Sequence, residues 1–75
     1  MELTNSQLLL LIAFNEARIR KQEAVALLTL LNEKEVEKIL DQLDVIVEDC
    51  QRFPTEQEIM NIIFPILKAK KTAED

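Results

Sequence analysis

The side chains that could take part in chemistry are of few types in this chain, and the most numerous are its 14 carboxylates. Its 75 residues include no His and one Cys, Cys50. We find no paired-carboxylate cleft, no glycine loop that could cradle a phosphate, and no Ser or Cys with an obvious base. A lone Cys can form neither an intramolecular disulfide nor a cysteine-based metal cluster. The sequence therefore predicts a protein that is not an enzyme and that holds no metal or cofactor.

The most regular charged pattern is a row of carboxylates in a predicted helix over residues 33–50. Spacings of four, four, three and four place these side chains along one edge of the helix. We call the row the acidic ridge; its members are Glu33, Glu37, Asp41, Asp44 and Glu48. It fits a solvated face, a contact surface for a basic protein partner, or a mimic of a phosphate backbone that inhibits a nucleic-acid-binding protein. We predict that the acidic ridge is the partner-binding surface.

Three helix starts carry the same local signal, a capping side chain followed three residues later by Glu or Gln. The signal occurs at Thr4, Asn32 and Thr55. The absence of Gly argues against tight β-hairpins. We predict an all-α, compact four-helix single domain over residues 1–71, with a helix-turn-helix-like core and a frayed tail at 72–75. The helices are expected at about 5–17, 22–30 and 33–50, and from 56 onward with a kink or an early end at Pro65.

The first of these helices contains seven consecutive apolar residues, Leu8 to Phe14. At about 100° per residue their side chains point in every direction, so a single-sided contact cannot bury them all. This helix must therefore be central, or shared with another copy or a partner. We predict a two-fold homodimer whose interface is formed by Leu8, Leu9, Leu11 and Ile12.

The third helix carries the cleanest amphipathic pattern, an apolar stripe about 120° wide. Leu40 is expected at the centre of the stripe, and Cys50 is expected to be a buried structural thiol. The complete stripe is Val36, Ile39, Leu40, Leu43, Ile46, Val47 and Cys50.

The net charge limits the class of partner. The chain has 9 basic and 14 acidic residues, which gives a net charge of -5. This balance opposes general attraction to nucleic acid or to an anionic membrane. The basic cluster Arg18, Arg20 and Lys21 could contact phosphate, or could equally favour the carboxyl end of the first helix. The chain has no basic leader, and its apolar run is too short to span a bilayer. We predict a cytoplasmic protein that does not bind membranes.

Residues 26–43, with the sequence ALLTLLNEKEVEKILDQL, resemble the two-helix unit of helix-turn-helix proteins, particularly winged-helix regulators of the MarR type. Residues 3–11 resemble the helix that precedes this unit. The resemblance covers about half the chain and implies a DNA-binding fold, although Leu30 stands where the family usually has Gly and no basic β-hairpin follows Cys50. The matching positions are Ala26, Leu31, Asn32, Val36, Ile39, Leu40 and Leu43.

The charges on the third helix decide between the two functions that remain. A reader of the DNA major groove would present Arg, Lys, Asn or Gln on its outward side. The outward side of this helix is mainly acidic and carries Glu33, Lys34, Glu37, Lys38 and Asp41. We predict a small protein–protein interaction module that acts as a regulator or inhibitor through the acidic ridge, through dimerisation, or through both. The alternative is a DNA-binding helix-turn-helix transcriptional regulator.

Overall fold

Four α-helices account for most of the chain. The computed structural model describes the backbone of residues 2–74 and the side chains of residues 2–70. The helices are α1 (Asn5–Glu16), α2 (Lys21–Leu30), α3 (Glu33–Cys50) and α4 (Glu56–Glu74). Residues 2–74 contain no strand, and none of their helices has both the length and the apolar content needed to cross a bilayer. The prediction of an all-α, four-helix single domain is confirmed.

Reciprocal hydrogen bonds fix three of the helix starts. Thr4 Oγ1 accepts from the backbone N–H of Gln7 at 3.1 Å, and Gln7 Oε1 accepts from the backbone N–H of Thr4 at 2.9 Å. Both hydrogen bonds supply an acceptor for a backbone N–H group that has none within the helix. All three predicted capping boxes are confirmed, since the same two bonds join Asn32 to Glu35 and Thr55 to Glu58.

The core is apolar throughout and is formed by side chains from all four helices and from the two short segments that flank α2. One side of α3 packs against α1 and another against α4, while α2 packs against α1. Among the described side chains, no polar or charged residue is buried. α1 contacts both α2 and α3, but it buries only one side, so the other helices do not surround it. The buried side chains are Leu10, Phe14, Ile19, Ala24, Leu27, Leu28, Leu31, Val36, Ile39, Leu43, Ile59, Met60 and Ile63.

Pro65 does not end α4, which continues to Glu74. Pro65 is exposed, as is Asn61, whose carbonyl loses its ladder partner at this proline. Water can reach that carbonyl, while Ile63 and Ile66 hold the helix against the core on both sides of the proline. Of the predicted kink or early end at Pro65, the early end is wrong. The frayed tail is predicted at 72–75; the backbone of residues 72–74 belongs to α4, and Asp75 lies outside the described residues.

Candidate protein-binding surface

Helix α1 has one fully buried side and one exposed apolar side. Leu10 and Phe14 are 0% exposed, whereas Leu9 and Ile12 are each 57% exposed and Leu8 is 44% exposed. At about 100° per residue, the buried pair and the exposed three lie on nearly opposite sides of the helix. Three of the four predicted dimer residues are thus on the surface. Leu11 is half-buried against the core.

The exposed side of α1 borders a shallow apolar groove of about 250 Å³. One wall comes from α1 and the other from α3, and the segment between α3 and α4 closes one end. Within it, Phe53 is 64% exposed and is followed by the buried Pro54. We call this the α1–α3 groove; it is lined by Leu9, Ile12, Ala13, Glu16, Leu40, Leu43, Asp44, Val47, Phe53 and Pro54.

The acidic ridge runs beside this groove. All five of its side chains are exposed, and among the described residues none of them pairs with a cation. Asp44 belongs both to the ridge and to the groove lining, and Glu16 adds a carboxylate from α1. In the described part of the chain, no His, Cys, Asp or Glu side chains converge in a group that could hold a metal ion. The ridge is therefore an extended acidic border to an apolar groove.

Arg52 fixes the segment that presents Phe53. Its guanidinium donates two hydrogen bonds to the Glu58 carboxylate, at 2.7 and 3.1 Å, and a third to the carbonyl of Phe53 at 3.1 Å. Glu58 also completes the capping box with Thr55. A bidentate Arg–carboxylate pair has a defined geometry, so the position of Phe53 is tied to the start of α4.

This network changes the ionisation of both partners. The hydrogen bonds from Arg52, followed by the bond from the Thr55 backbone N–H, lower the pKa of Glu58 to about 2. The same ion pair raises the pKa of Arg52. Glu58 therefore stays ionised, and the Phe53 segment stays fixed, until the solution is strongly acidic.

A second ion pair joins α4 to the turn between α2 and α3. The Lys70 ammonium donates to the Leu30 carbonyl and, at 3.0 Å, to Glu35 Oε1. Partial burial raises the pKa of Glu35, but hydrogen bonds from the Asn32 backbone N–H and from Lys70 outweigh it and lower the pKa overall. The contact links residues 35 positions apart and so helps to hold α4 in place beside α3.

The apolar stripe of α3 is buried along only part of its length. Ile39 is fully buried, but Leu40 is half-buried at the floor of the α1–α3 groove. Every residue from 47 to 53 is exposed, because the packed helices do not extend over the last turn of α3. The predictions that Leu40 is the centre of the buried stripe and that Cys50 is buried are therefore wrong.

The basic cluster lies in the turn between α1 and α2 and at the first residue of α2. Arg18, Arg20 and Lys21 are exposed, and Arg18 has a left-handed backbone with φ of 63°. None of the three donates a side-chain hydrogen bond to an α1 carbonyl in the described structure. Lys21 instead lines a second cleft of about 300 Å³ between α1 and α2, together with Leu11, Ile12, Asn15, Ile19 and Ala24.

Sequence reasoning missed Phe53, Arg52 and Glu58 as parts of this surface. The capping box at Thr55 and an Arg three residues before it were visible signals, but the ion pair forms only after the chain turns.

The residues that resemble a helix-turn-helix unit occupy α2, α3 and the two residues between them, with Asn32 as the cap of α3. Comparison with protein-family models, curated proteins and solved structures found no match to this chain.

Proposed function

We propose that this chain is a protein–protein interaction module that regulates or inhibits its partner by binding it through the α1–α3 groove and the acidic ridge. One observation carries the proposal: apolar side chains from three segments, Ile12, Val47 and Phe53, are exposed along one groove. Single exposed apolar residues are ordinary, but a contiguous apolar patch with a charged border is typical of protein contact surfaces. Such a module acts by occupying a surface of its partner.

We place this action in the cytoplasm. The single thiol, Cys50, is exposed on the last turn of α3. In an oxidising compartment an exposed unpaired thiol would form intermolecular disulfides, whereas cytoplasmic thiols are kept reduced. This supports the proposed location independently of the binding surface.

Affinity capture with two matched variants tests the proposed function. Ile12→Asp puts a charge into the groove, whereas Val45→Asp puts the same charge at a position that is 55% exposed and about 150° around α3 from the groove side. Neither site is buried, so both variants should fold, as circular dichroism would check. We expect the Val45 variant to retain the partner and the Ile12 variant to lose it. Equal capture by both variants would contradict the proposal.

Homodimerisation is a second candidate, because Leu8, Leu9 and Ile12 present an exposed apolar side opposite the core side of α1. A self-complementary patch of this kind normally closes as a two-fold dimer. Sedimentation over a concentration series, with reductant present to keep Cys50 reduced, would show a mass twice that of the 8.7 kDa chain. A monomer at high micromolar concentration would rule out the dimer.

A further inference from the structure

The shape of the α1–α3 groove favours side chains of a protein as its occupants. Its volume is about 250 Å³, below the roughly 300–1,000 Å³ of pockets that enclose small ligands. Its floor is formed by apolar side chains such as Ile12, Leu40 and Val47. A trough between two helices accepts a row of apolar side chains from a third helix.

Backbone hydrogen bonding distinguishes a helical occupant from an extended one. An extended peptide binds by adding main-chain hydrogen bonds to an exposed sheet edge, and residues 2–74 contain no strand. The walls of the groove are helices, whose interior N–H and C=O groups are already paired within each helix. A helical occupant satisfies its own backbone and needs only side-chain contacts from the groove.

Charge identifies the chemistry of that helix. Glu16 lines the α1 wall and Asp44 the α3 wall, and the rest of the acidic ridge continues beside Asp44. Lys34 and Lys38 lie about 120° and about 160° around α3 from Leu40, away from the floor of the groove. Arg52, next to Phe53 in sequence, is held by Glu58. The groove is therefore apolar at its floor and negative at its border.

We infer that the α1–α3 groove binds a basic amphipathic α-helix of a partner protein, with apolar side chains at positions i, i+3 or i+4, and i+7. Lys or Arg side chains beside these anchors face Glu16 and Asp44. A second copy of the chain fits less well, because each copy carries a charge of -5 and Glu16 is the only charged residue of α1. This inference rests on the proposed function and names the class of partner.

A set of stapled helical peptides tests the inference. Each peptide carries Leu, Ile or Phe at the three anchor positions, and the flanking positions carry Lys in one series and Glu in the other. We expect the Lys series to bind, to shift the NMR signals of Ile12, Val47 and Phe53, and to weaken as salt rises. The Glu series should bind at least about tenfold more weakly. Equal binding of both series, or no binding of the Lys series, would overturn the inference.

Matched variants locate the contact. Phe53→Ala should weaken the Lys peptide about tenfold or more, as expected for an exposed aromatic side chain that becomes buried in the contact, and Val45→Ala should leave its affinity within about twofold. The pair Glu16→Gln and Asp44→Asn should weaken it about three- to tenfold. The control pair Glu23→Gln and Asp49→Asn removes the same charge elsewhere and should have little effect. Equal losses in test and control variants would refute the assigned site.

The peptide assay can fail without the proposed function failing. Ile12 also lines the cleft between α1 and α2, whereas Phe53 lines only the α1–α3 groove. If Ile12→Asp and Phe53→Ala both abolish capture of a cellular partner but Lys peptides do not bind, the groove binds protein and the basic-helix inference is wrong. If Ile12→Asp leaves capture unchanged, the proposed function itself is wrong.

Discussion

Two neighbouring leucines in α1 should differ sharply in their contribution to stability. Leu10 is fully buried and Leu9 is 57% exposed. Leu10→Ala removes packed side-chain atoms from the core, and changes of this kind cost about 2.7–5 kcal/mol. Leu9→Ala gives up less than half of the roughly 1.5–3 kcal/mol associated with complete burial of a leucine, or about 1.5 kcal/mol at most. Both variants make the same Leu-to-Ala change within α1, so helix propensity does not account for the difference.

The assay is urea unfolding followed by circular dichroism at 222 nm, a standard helix signal, with both variants compared to the parent chain. A domain of 75 residues has a free energy of unfolding of about 4–11 kcal/mol at roughly 0.05–0.15 kcal/mol per residue. Leu10→Ala should therefore lower the unfolding midpoint greatly or prevent folding, while Leu9→Ala should change it little. Equal destabilisation by the two variants would show that both sides of α1 are buried, and would refute the exposed side described above.

Three other predictions concern charge. The pKa of Glu58 falls from 4.5 to about 2 on folding, so the folded state binds fewer protons than the unfolded state. The ionised Glu58 therefore contributes its full stability above about pH 4.5, and this contribution is lost as the pH falls through about 2. Glu58→Gln should flatten that part of the stability profile measured by urea unfolding, and an unchanged profile would contradict the ion pair. Replacing Glu37, Asp41 and Asp44 by Gln or Asn should leave the free energy of unfolding unchanged or raise it by a few tenths of a kcal/mol per like-charge pair. Partner affinity should fall and lose its salt dependence, and unaltered partner binding would make the acidic ridge a solvated face. The protein should not bind arbitrary duplex DNA at low salt in a fluorescence anisotropy titration, because its net charge is -5. DNA binding that weakens steeply as salt rises would instead favour the helix-turn-helix regulator, with phosphate contacts at Arg18, Arg20 and Lys21.

The helix starts could be predicted because their signal is local. A cap and its partner stand three residues apart, so Thr4, Asn32 and Thr55 could be identified without knowing the fold. The acidic ridge could be placed on one edge of α3 for the same reason, since a helix fixes the spacing of its own side chains.

The surface could not be predicted as fully, because it depends on which helices meet. A run of seven apolar residues has no periodicity, so the sequence did not show that Leu10 faces the core and Leu9 the solvent. Cys50 lies on the apolar stripe of α3, but burial there would require another helix to extend over it. The exposed position of Phe53 depends on an ion pair between Arg52 and Glu58 that bridges the turn into α4.

The most direct test of the proposed contact surface is site-specific photocrosslinking in the cells from which the chain comes. A photoreactive phenylalanine analogue replaces Phe53 in one variant and Val45 in the other; both native side chains are exposed, and only Phe53 lines the α1–α3 groove. Mass spectrometry would then identify the products. We predict a covalent adduct with another protein from position 53 and none from position 45. Equal adducts from the two positions, or none from position 53, would contradict a protein-binding role for this groove.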